Sequence, residues 1–168
     1  MVTGAGSAWY DIVAECFNKQ QELEAIIRPG CYAIHDTGIY LDAQNQGIAC
    51  DLGGDLASAL ELWAYVVSRP EPNKVIVGFG KRDAAFDAGL PILERAYRNG
   101  KPVAFDQIKT TAVMDQHAFL SVSSDCDLQV GDVLVFSTYH PCLTFDKWRS
   151  VAVSDDNDRV THWVKTWF

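Results

Sequence analysis

The feature that most constrains the fold is a series of short runs, rich in β-branched and aromatic residues and separated by turn residues. These runs lie at residues 59–68, 74–79, 109–114, 117–122, 130–136, 148–153 and 160–167. Glycine, proline, asparagine and aspartate interrupt them at short, irregular intervals. Many short strands with this spacing predict a mainly β, antiparallel fold of the barrel or sandwich type, with one or two short helices.

The other segments give different patterns. Residues 31–41 are rich in Tyr, Ile and Ala and favour further β structure. Residues 90–98 predict one or two helical turns. Residues 7–17 fit either a short amphipathic helix or a strand, because a segment of this length is compatible with both. Turns are expected at Arg28-Pro29-Gly30 and at Gly53-Gly54.

Composition excludes several classes of partner. The chain has 168 residues, 48% of them hydrophobic, which is enough to bury a core. Its net charge of −8 argues against a nucleic acid or a phospholipid surface as partner. No run of about eighteen apolar residues is present, so no membrane span is expected.

The cysteines indicate a reducing compartment. They are odd in number, irregularly spaced and without a CxxC pair, namely Cys16, Cys31, Cys50, Cys126 and Cys142. Reduced thiols in a cytoplasmic protein fit this pattern better than a disulfide framework. Cys16, Cys31 and Cys126 are interpreted as small buried hydrophobes.

His140 and Cys142 form a candidate metal chelate directly after an apolar run. In an extended segment, two residues at this spacing project from the same face. An imidazole and a thiolate suit Zn²⁺, and Pro141 between them fixes one backbone torsion. Closed structural zinc sites take four ligands, so a two-residue chelate leaves positions for water or substrate. The alternative is an ordinary pair of core residues.

Two further motifs carry possible chemistry. Gly4, Gly6 and Ser7 could cradle an anion, because glycines let backbone N–H groups approach it and Ser adds a hydroxyl. The alternative is a common turn. His117, which follows an acid and an amide, is a candidate either for orienting the substrate or for supporting the residues that contact it. The alternative is a hydrogen-bonded histidine at a strand edge.

Charged and histidine-containing loops favour structural interpretations. The loop of residues 81–89 is either a solvated loop or a crossing near a domain interface, and its charge density favours the former. His35-Asp36 is interpreted as a turn pair. Lys81 and Lys147 are poor candidates for a Schiff base, since neither lies in an apolar run that would lower its pKa. The segment Lys147-Trp148-Arg149 is expected to support the chelate by packing and ion pairing.

Several stretches together resemble one enzyme family. They are "TGAGS", "RPGCYAIHDTGIY", "SRPEPNKVIVGFGKRDAAFDAGLP", "MDQHAFLSV", "HPCLTFDKWR" and "VTHWVKTWF", in this order along the chain. They resemble the C-terminal part of the D-serine dehydratase and D-threonine aldolase family. The resemblance covers nearly the whole chain, and "HPCLTFDKWR" is its most specific part.

The resemblance implies a domain organisation. Members of this family have an alanine-racemase-like barrel that binds pyridoxal 5′-phosphate, followed by a smaller β-domain that carries a metal. Residues 1–28 would then be the end of the barrel and residues 29–168 the metal-carrying β-domain. The Schiff-base lysine would lie outside this chain, which alone would be inactive. A homodimer is implied, because the β-domain of one subunit completes the site of another.

The resemblance also implies an activity. Gly4, Gly6 and Ser7 would contact the cofactor phosphate, and His140 and Cys142 would hold Zn²⁺. The substrate would be a small D-3-hydroxy amino acid, with D-serine dehydrated and deaminated to pyruvate and ammonia by a lyase. Retro-aldol cleavage of D-threonine type stays open, although Cys142 favours dehydration because aldolases tend to have Asp there. A non-catalytic metal-binding or assembly β-module is the third alternative.

Overall fold

The computed structural model describes residues 1–20, 22–31, 33–45 and 56–167. Its helices are α1 (Tyr10–Asn18), α2 (Ile39–Asn45) and α3 (Pro141–Phe145). Its strands are β1 (Val2–Gly4), β2 (Ala25–Ile27), β3 (Glu61–Glu71), β4 (Lys74–Val77), β5 (Ile92–Arg98), β6 (Lys101–Pro102), β7 (Lys109–Val113), β8 (Ala118–Ser121), β9 (Val133–Ser137), β10 (Ser150–Ser154) and β11 (Val160–Lys165). Cys50 and the expected turn at Gly53-Gly54 lie outside the described residues.

The leading segment is a β–α–β unit. Strands β1 and β2 pair in parallel, with Val2 opposite Ala25. Parallel strands need a crossover connection, and α1 supplies it, so the helical alternative for this segment is the one observed. Gly4 lets the helix approach the strand closely, because a Cβ there would lie 2.9 Å from Val13 Cγ1.

An antiparallel sheet of seven strands forms the body of the described structure. Its order is β6-β5-β9-β3-β4-β8-β7, and its neighbouring strands pair antiparallel. Each of the seven predicted runs contains a strand, so the prediction of a mainly β, antiparallel fold is confirmed. The sheet curls without closing, and Thr110 Oγ1 on β7 donates to the Pro91 carbonyl at 2.6 Å just before β5.

Alternation along the strands creates the core. On β3, Leu62, Ala64 and Val66 are buried while Trp63 and Tyr65 face outward. The inward side chains of the sheet pack into one cluster. Its largest fully buried members are Phe79, Phe136, Leu120, Leu128 and Leu134. The rings of Phe79 and Phe136 meet edge to face with centroids 4.8 Å apart.

Two predicted elements are wrong. Residues 90–98 contain strand β5 rather than helical turns, because pairing with β9 buries Leu93 and Ala96 on the core side. Residues 31–41 contain no strand in their described part. There the buried carboxylate of Asp36 accepts the backbone N–H groups of Gly38 and Tyr40, both at 3.0 Å, which turns the chain into α2.

Strands β10 and β11 form a separate antiparallel hairpin, joined by a polar loop. Asp158 in that loop accepts hydrogen bonds from Arg95 at 3.1 Å and from Tyr97 at 2.9 Å, which ties the hairpin to β5. Strand β11 is exposed along its length, and Trp163 on it is 68% exposed. None of the described helices is long and apolar enough to cross a membrane.

Candidate functional site

His140 and Cys142 lie at the start of a short helix, not on an extended segment. His140 takes the N-cap position of α3 with φ −133° and ψ 88°, and Pro141 begins the helix. Proline fits this position because its fixed φ is helical and it has no N–H to satisfy. The premise that both side chains project from one face of a strand is therefore wrong. They occupy instead a cap and the adjacent first turn.

Asp87 holds the His140 ring. Asp87 Oδ2 lies 2.7 Å from His140 Nδ1. The two side chains are 46% and 40% exposed, respectively. The hydrogen bond from His140 holds the pKa of the Asp87 carboxyl below its usual value. Because Nδ1 is engaged, Nε2 is the nitrogen left to bind a ligand.

The loop that carries Asp87 is docked on α3 although Lys81, Arg82 and Asp87 are exposed, so the interpretation as a solvated loop holds only for these charged side chains. Ala85 N–H donates to Thr144 Oγ1 at 3.0 Å, and Thr144 Oγ1 donates to the His140 carbonyl at 3.1 Å. Ala85 and Thr144 are both buried. Trp148 Nε1 donates to the Asp83 carbonyl at 2.7 Å. This hydrogen bond attaches Trp148 to the loop that carries Asp87.

The ring of Phe86, which belongs to this loop, is contacted by two lysines, Lys147 after α3 and Lys81 at the start of the loop. Their ammonium groups lie 5.8 Å and 5.4 Å, respectively, from the centroid of Phe86. The contact that the structure gives Lys147 is therefore a cation–π contact. It adds to the docking of the loop against α3.

Tyr139 is enclosed by two glycines. A Cβ at Gly38 would lie 2.1 Å from Tyr139 Cδ1, and one at Gly89 would lie 2.6 Å from the same atom. Both distances are far inside van der Waals contact, so only glycine fits at either position without displacing the ring. Since Tyr139 directly precedes His140, this packing fixes the chain at the entrance to α3.

Cys142 adjoins a cluster formed by Ser7, Cys31 and Tyr40. The backbone N–H of Cys31 donates to Ser7 Oγ at 3.1 Å. Burial raises the pKa of the Cys31 thiol, and the nearby Cys142 raises it further. Hydrogen bonds from Tyr40 and Ser7 lower this pKa, but the net direction is up. Burial and the hydrogen bond with Cys31 likewise raise the pKa of Tyr40. The cluster brings Ser7 and Cys142, from opposite ends of the chain, around the same two residues.

Cys31 is buried, as the sequence predicts, whereas Cys126 is half-buried and Cys16 is exposed, so the interpretation as a buried hydrophobe is wrong for Cys16. The role of Cys31 as the centre of a polar cluster was missed. Nothing in the local sequence marks Cys31 and Tyr40 as neighbours of Cys142. Their contacts depend on α2, which the sequence pattern did not predict.

The three residues of the candidate anion loop have different surroundings. Gly4 packs against α1. Gly6 has φ +140°, and its carbonyl accepts the Trp9 N–H at 3.0 Å in a turn that leads into α1. Ser7 points to Cys31. Asp11 in the first turn of α1 accepts the N–H of the residue after it at 2.8 Å. The loop therefore has the strand–loop–helix form typical of anion sites, with one acid at the helix start.

His117 lies in the exposed turn between β7 and β8. Its carbonyl accepts the Met114 N–H at 2.7 Å. The same turn packs against the start of the Asp87 loop, since Lys81 N–H donates to the Met114 carbonyl at 2.8 Å. His117 is connected to the His140 region through this loop.

His35 is buried, with φ +55°, and neither ring nitrogen has a hydrogen-bond partner. Its neighbour Asp36 starts α2, so the turn interpretation holds for this pair. In the described part of the chain, no cluster of three His, Cys, Asp or Glu residues could hold a metal ion. His140 and Cys142 therefore remain a two-residue candidate.

Residues 59–154, more than half of the chain, match the model of the family described as "putative serine dehydratase domain". The chain belongs to this family. No curated protein matches the chain.

Solved structures share the fold. D-threonine aldolase from Filomicrobium marinum superposes with a TM-score of 0.73 at 21% identity, covering 97% of this chain and 40% of that one. D-threo-3-hydroxyaspartate dehydratase from Delftia sp. HT23 gives a TM-score of 0.58 at 17% identity, covering 88% and 40%. An alanine racemase-like protein from Idiomarina loihiensis gives 0.59 at 18% identity, covering 87% and 40%. The chain thus spans about 40% of the length of these structures.

Two other structures of the dehydratase are mutants. One has alanine in place of a cysteine and is described as the metal-free form, and the other has alanine in place of a histidine. The substituted histidine precedes the substituted cysteine by two positions.

Proposed function

We propose that this chain is the C-terminal region of a pyridoxal 5′-phosphate- and zinc-dependent lyase that dehydrates D-serine or a related D-3-hydroxy amino acid to the keto acid and ammonia. The observation that carries the proposal is the geometry at His140, whose ring is held through Nδ1 with Nε2 left for a metal beside Cys142. Membership of the serine dehydratase family supports the reaction class.

The donor set fits Zn²⁺ in an open site. An imidazole nitrogen and a thiolate are preferred zinc ligands, and the Cys142 side chain is exposed. Two protein ligands leave positions for water or for a substrate hydroxyl. The same order and spacing of histidine and cysteine in the dehydratase mutants, one of them metal-free, supports this assignment.

Each cofactor would supply one part of the chemistry. Bound pyridoxal phosphate withdraws electrons from the substrate α-carbon, and bound zinc acts as a Lewis acid on the β-hydroxyl. The residues of this chain would hold and orient these groups. Gly4, Gly6 and Ser7 would face the phosphate, and Ser7 Oγ is held in place by the backbone N–H of Cys31 at 3.1 Å.

A further domain would supply the Schiff-base lysine. None of the seven lysines of this chain is buried, and a Schiff-base lysine needs a desolvated setting to lower its pKa. The division into a barrel end at residues 1–28 and a β-domain at 29–168 is part of the proposal. The parallel β1–β2 pair supports it, because the large sheet is antiparallel.

His117 is proposed as a substrate-orienting residue. Its turn packs against the loop that carries Asp87, which connects it to the metal ligands. A homodimer in the cytoplasm completes the proposal. Exposed aromatic side chains at Trp63, Tyr65, Trp163 and Trp167 offer surface for contacts with other parts of the enzyme. The described cysteines are free, as expected in a reducing compartment.

Retro-aldol cleavage is the second candidate. The high structural similarity to D-threonine aldolase, with a TM-score of 0.73, favours it. The products separate the two reactions, because dehydration of D-serine yields pyruvate and ammonia whereas cleavage of D-threonine yields glycine and acetaldehyde. A non-catalytic module would give neither product.

The first test measures zinc binding by the whole 168-residue chain in competition with a fluorescent chelator. His140→Ala and Cys142→Ala should each weaken binding by more than about 100-fold, since each removes a ligand. The matched controls are His162→Ala and Cys16→Ala, which remove an exposed histidine and an exposed cysteine elsewhere. Unchanged zinc binding in both ligand variants would refute the site.

The second test measures turnover. The chain alone should not convert D-serine or D-threonine, whereas the chain joined to a barrel domain of this family should convert one of them. That activity should fall when zinc is chelated. Pyridoxal-phosphate-dependent turnover by the 168 residues alone would show that a lysine of this chain serves the cofactor.

A further inference from the structure

The Asp87–His140 hydrogen bond determines which ring nitrogen His140 presents. A neutral imidazole carries one proton, so one nitrogen donates and the other accepts. An ionised carboxylate only accepts, so the nitrogen that faces it must carry the proton. Asp87 Oδ2 lies 2.7 Å from Nδ1. The proton therefore belongs on Nδ1, and the lone pair on Nε2 is directed away from Asp87.

We propose that Asp87 is the positioning residue of the metal centre, fixing His140 in the Nδ1–H tautomer so that Nε2 binds the metal. This inference rests on the zinc site proposed above. Histidines that ligate metals generally donate their second N–H to a carboxylate or a carbonyl, which fixes the ring and makes the ligand more basic. Asp87 provides this carboxylate from a loop 53 residues earlier in the chain.

The loop that carries Asp87 is built to hold it in place. The buried N–H of Ala85 is bound by Thr144 Oγ1, and the same hydroxyl donates to the His140 carbonyl. The ring of His140 and its backbone are thus both held by contacts that lead to this loop. On the other side of Asp87, Gly89 packs against Tyr139, the residue before His140. These contacts hold the backbone on both sides of Asp87 against the segment that carries His140.

Asp87 acts on the ring and is not itself a third ligand. Within the described residues, it does not form a metal-binding cluster with His140 and Cys142. It also differs from an ordinary surface ion pair such as Glu15–Lys19, in which both partners sit on one exposed helix. The Asp87 contact instead joins two separate segments, which the buried hydrogen bond from Ala85 to Thr144 also links.

The decisive measurement is the zinc affinity of Asp87→Ala and Asp87→Asn in the whole chain. Loss of the carboxylate should weaken zinc binding by about 10- to 100-fold, the range seen for such partners of ligating histidines. Asp87→Asn, which keeps a hydrogen-bond acceptor without the charge, should lie between Asp87→Ala and the wild type. The matched control is Asp146→Asn, which removes an exposed carboxylate near Cys142 and should stay within about twofold. Equal zinc affinity in Asp87→Ala and the wild type would overturn the inference.

The tautomer gives a second readout that does not depend on metal. Long-range ¹H–¹⁵N spectra of the zinc-free chain, with His140 assigned by its alanine variant, should show a protonated Nδ1 in the wild type. Asp87→Ala should shift the ring toward the Nε2–H form, which free imidazole side chains favour. A wild-type ring protonated at Nε2 would overturn the inference. If the wild type binds no zinc, the zinc proposal fails, and the tautomer alone then decides whether Asp87 positions the ring.

Discussion

Two carboxylates in this molecule bind a basic side chain at nearly the same distance but in opposite surroundings. Asp132 accepts Arg98 Nε at 2.8 Å and a second guanidinium N–H at 2.9 Å, and its side chain is 2% exposed. It also accepts the backbone N–H of Gln129 at 2.8 Å. Asp87 lies 2.7 Å from one nitrogen of His140 and is half-exposed.

The difference separates a structural pair from a functional one. Both oxygens of Asp132 accept hydrogen bonds, and its partner Arg98 also binds Asp127 at 2.9 Å. These contacts join the end of β5 to the turn that precedes β9. Asp87 meets a ring whose other nitrogen can still bind a ligand. Contact distance does not distinguish the two pairs. What distinguishes them is whether the basic partner keeps a lone pair for a ligand. The second ring nitrogen of His140 does, and the guanidinium of Arg98 does not.

The largest effect is expected from Asp132→Ala. The change removes a buried carboxylate that satisfies the guanidinium of Arg98 and the N–H of Gln129. Breaking a buried pair costs about 3–5 kcal/mol, and because Arg98 keeps its contact with Asp127 we expect about 3 kcal/mol of lost stability. Urea unfolding at neutral pH measures this loss.

Zinc affinity provides the contrast for Asp132→Ala. It should remain as in the wild type, because this pair is not part of the site. Asp127→Ala is the matched control, since it removes the exposed partner of the same arginine and should shift the unfolding midpoint far less. If Asp132→Ala lowers zinc affinity as much as Asp87→Ala, the division into structural and functional pairs is wrong.

A smaller loss is expected from Gly38→Ala, which tests the scaffold around His140. The new Cβ would lie 2.1 Å from Tyr139 Cδ1, near the root of the ring, so the side chain cannot simply swing aside. Overpacking of this kind costs about 1–3 kcal/mol. Because Tyr139 precedes His140, zinc affinity should fall as well. Both quantities can be measured on the same sample.

Gly30→Ala is the control for this substitution. A Cβ at Gly30 would meet Ser7 Oγ at 3.7 Å, an ordinary contact, so neither stability nor zinc affinity should change appreciably. A Gly38→Ala variant with unchanged stability would show that Tyr139 relaxes freely. The fixed geometry proposed for His140 would then lose one of its supports.

The sequence predicted most of the sheet because strand signals are local. β-Branched and aromatic residues between turn residues marked seven runs, of which five lie in the seven-stranded sheet and two in the β10–β11 hairpin. The spacing of His140 and Cys142 marked the candidate chelate. Residues 90–98 were misread because their strand form depends on pairing with β9, about forty residues later. The helix start at Pro141 was missed because proline between two candidate ligands fits either an extended or a helix-start conformation.

The partners of the site could not be predicted, because long-range topology brings them together. Asp87 reaches His140 across 53 residues of sequence, and Cys31 reaches Cys142 across more than a hundred. One signal could have pointed to the docked loop. It has a glycine at each end, Gly80 and Gly89, and both are positions where a side chain would clash with a neighbouring segment.

The smallest effect is expected in the pH dependence of stability. The contributions of Asp132 and Asp87 to the free energy of unfolding should differ in size but have the same sign. Burial raises the pKa of the Asp132 carboxyl, but the hydrogen bonds from Arg98 and Gln129 together lower it by more. The pKa of Asp132 in the folded state is therefore below its usual value. The hydrogen bond from His140 lowers the pKa of Asp87. A lowered carboxyl pKa stabilises the fold above the unfolded value of about 4, and this contribution disappears as pH falls through the folded value.

Unfolding free energies of the zinc-free wild type, Asp132→Asn and Asp87→Asn between about pH 2.5 and 6 test this difference. The advantage of the wild type over each variant should be complete above about pH 4 and shrink at lower pH. For Asp87 the advantage should not exceed about 0.5 kcal/mol, because the half-exposed pair is screened by water. For Asp132 it should be several times larger. An Asp87 advantage that grows as the pH falls would mean that its carboxyl pKa is raised in the folded state, and the hydrogen bond to His140 would then not be the one described.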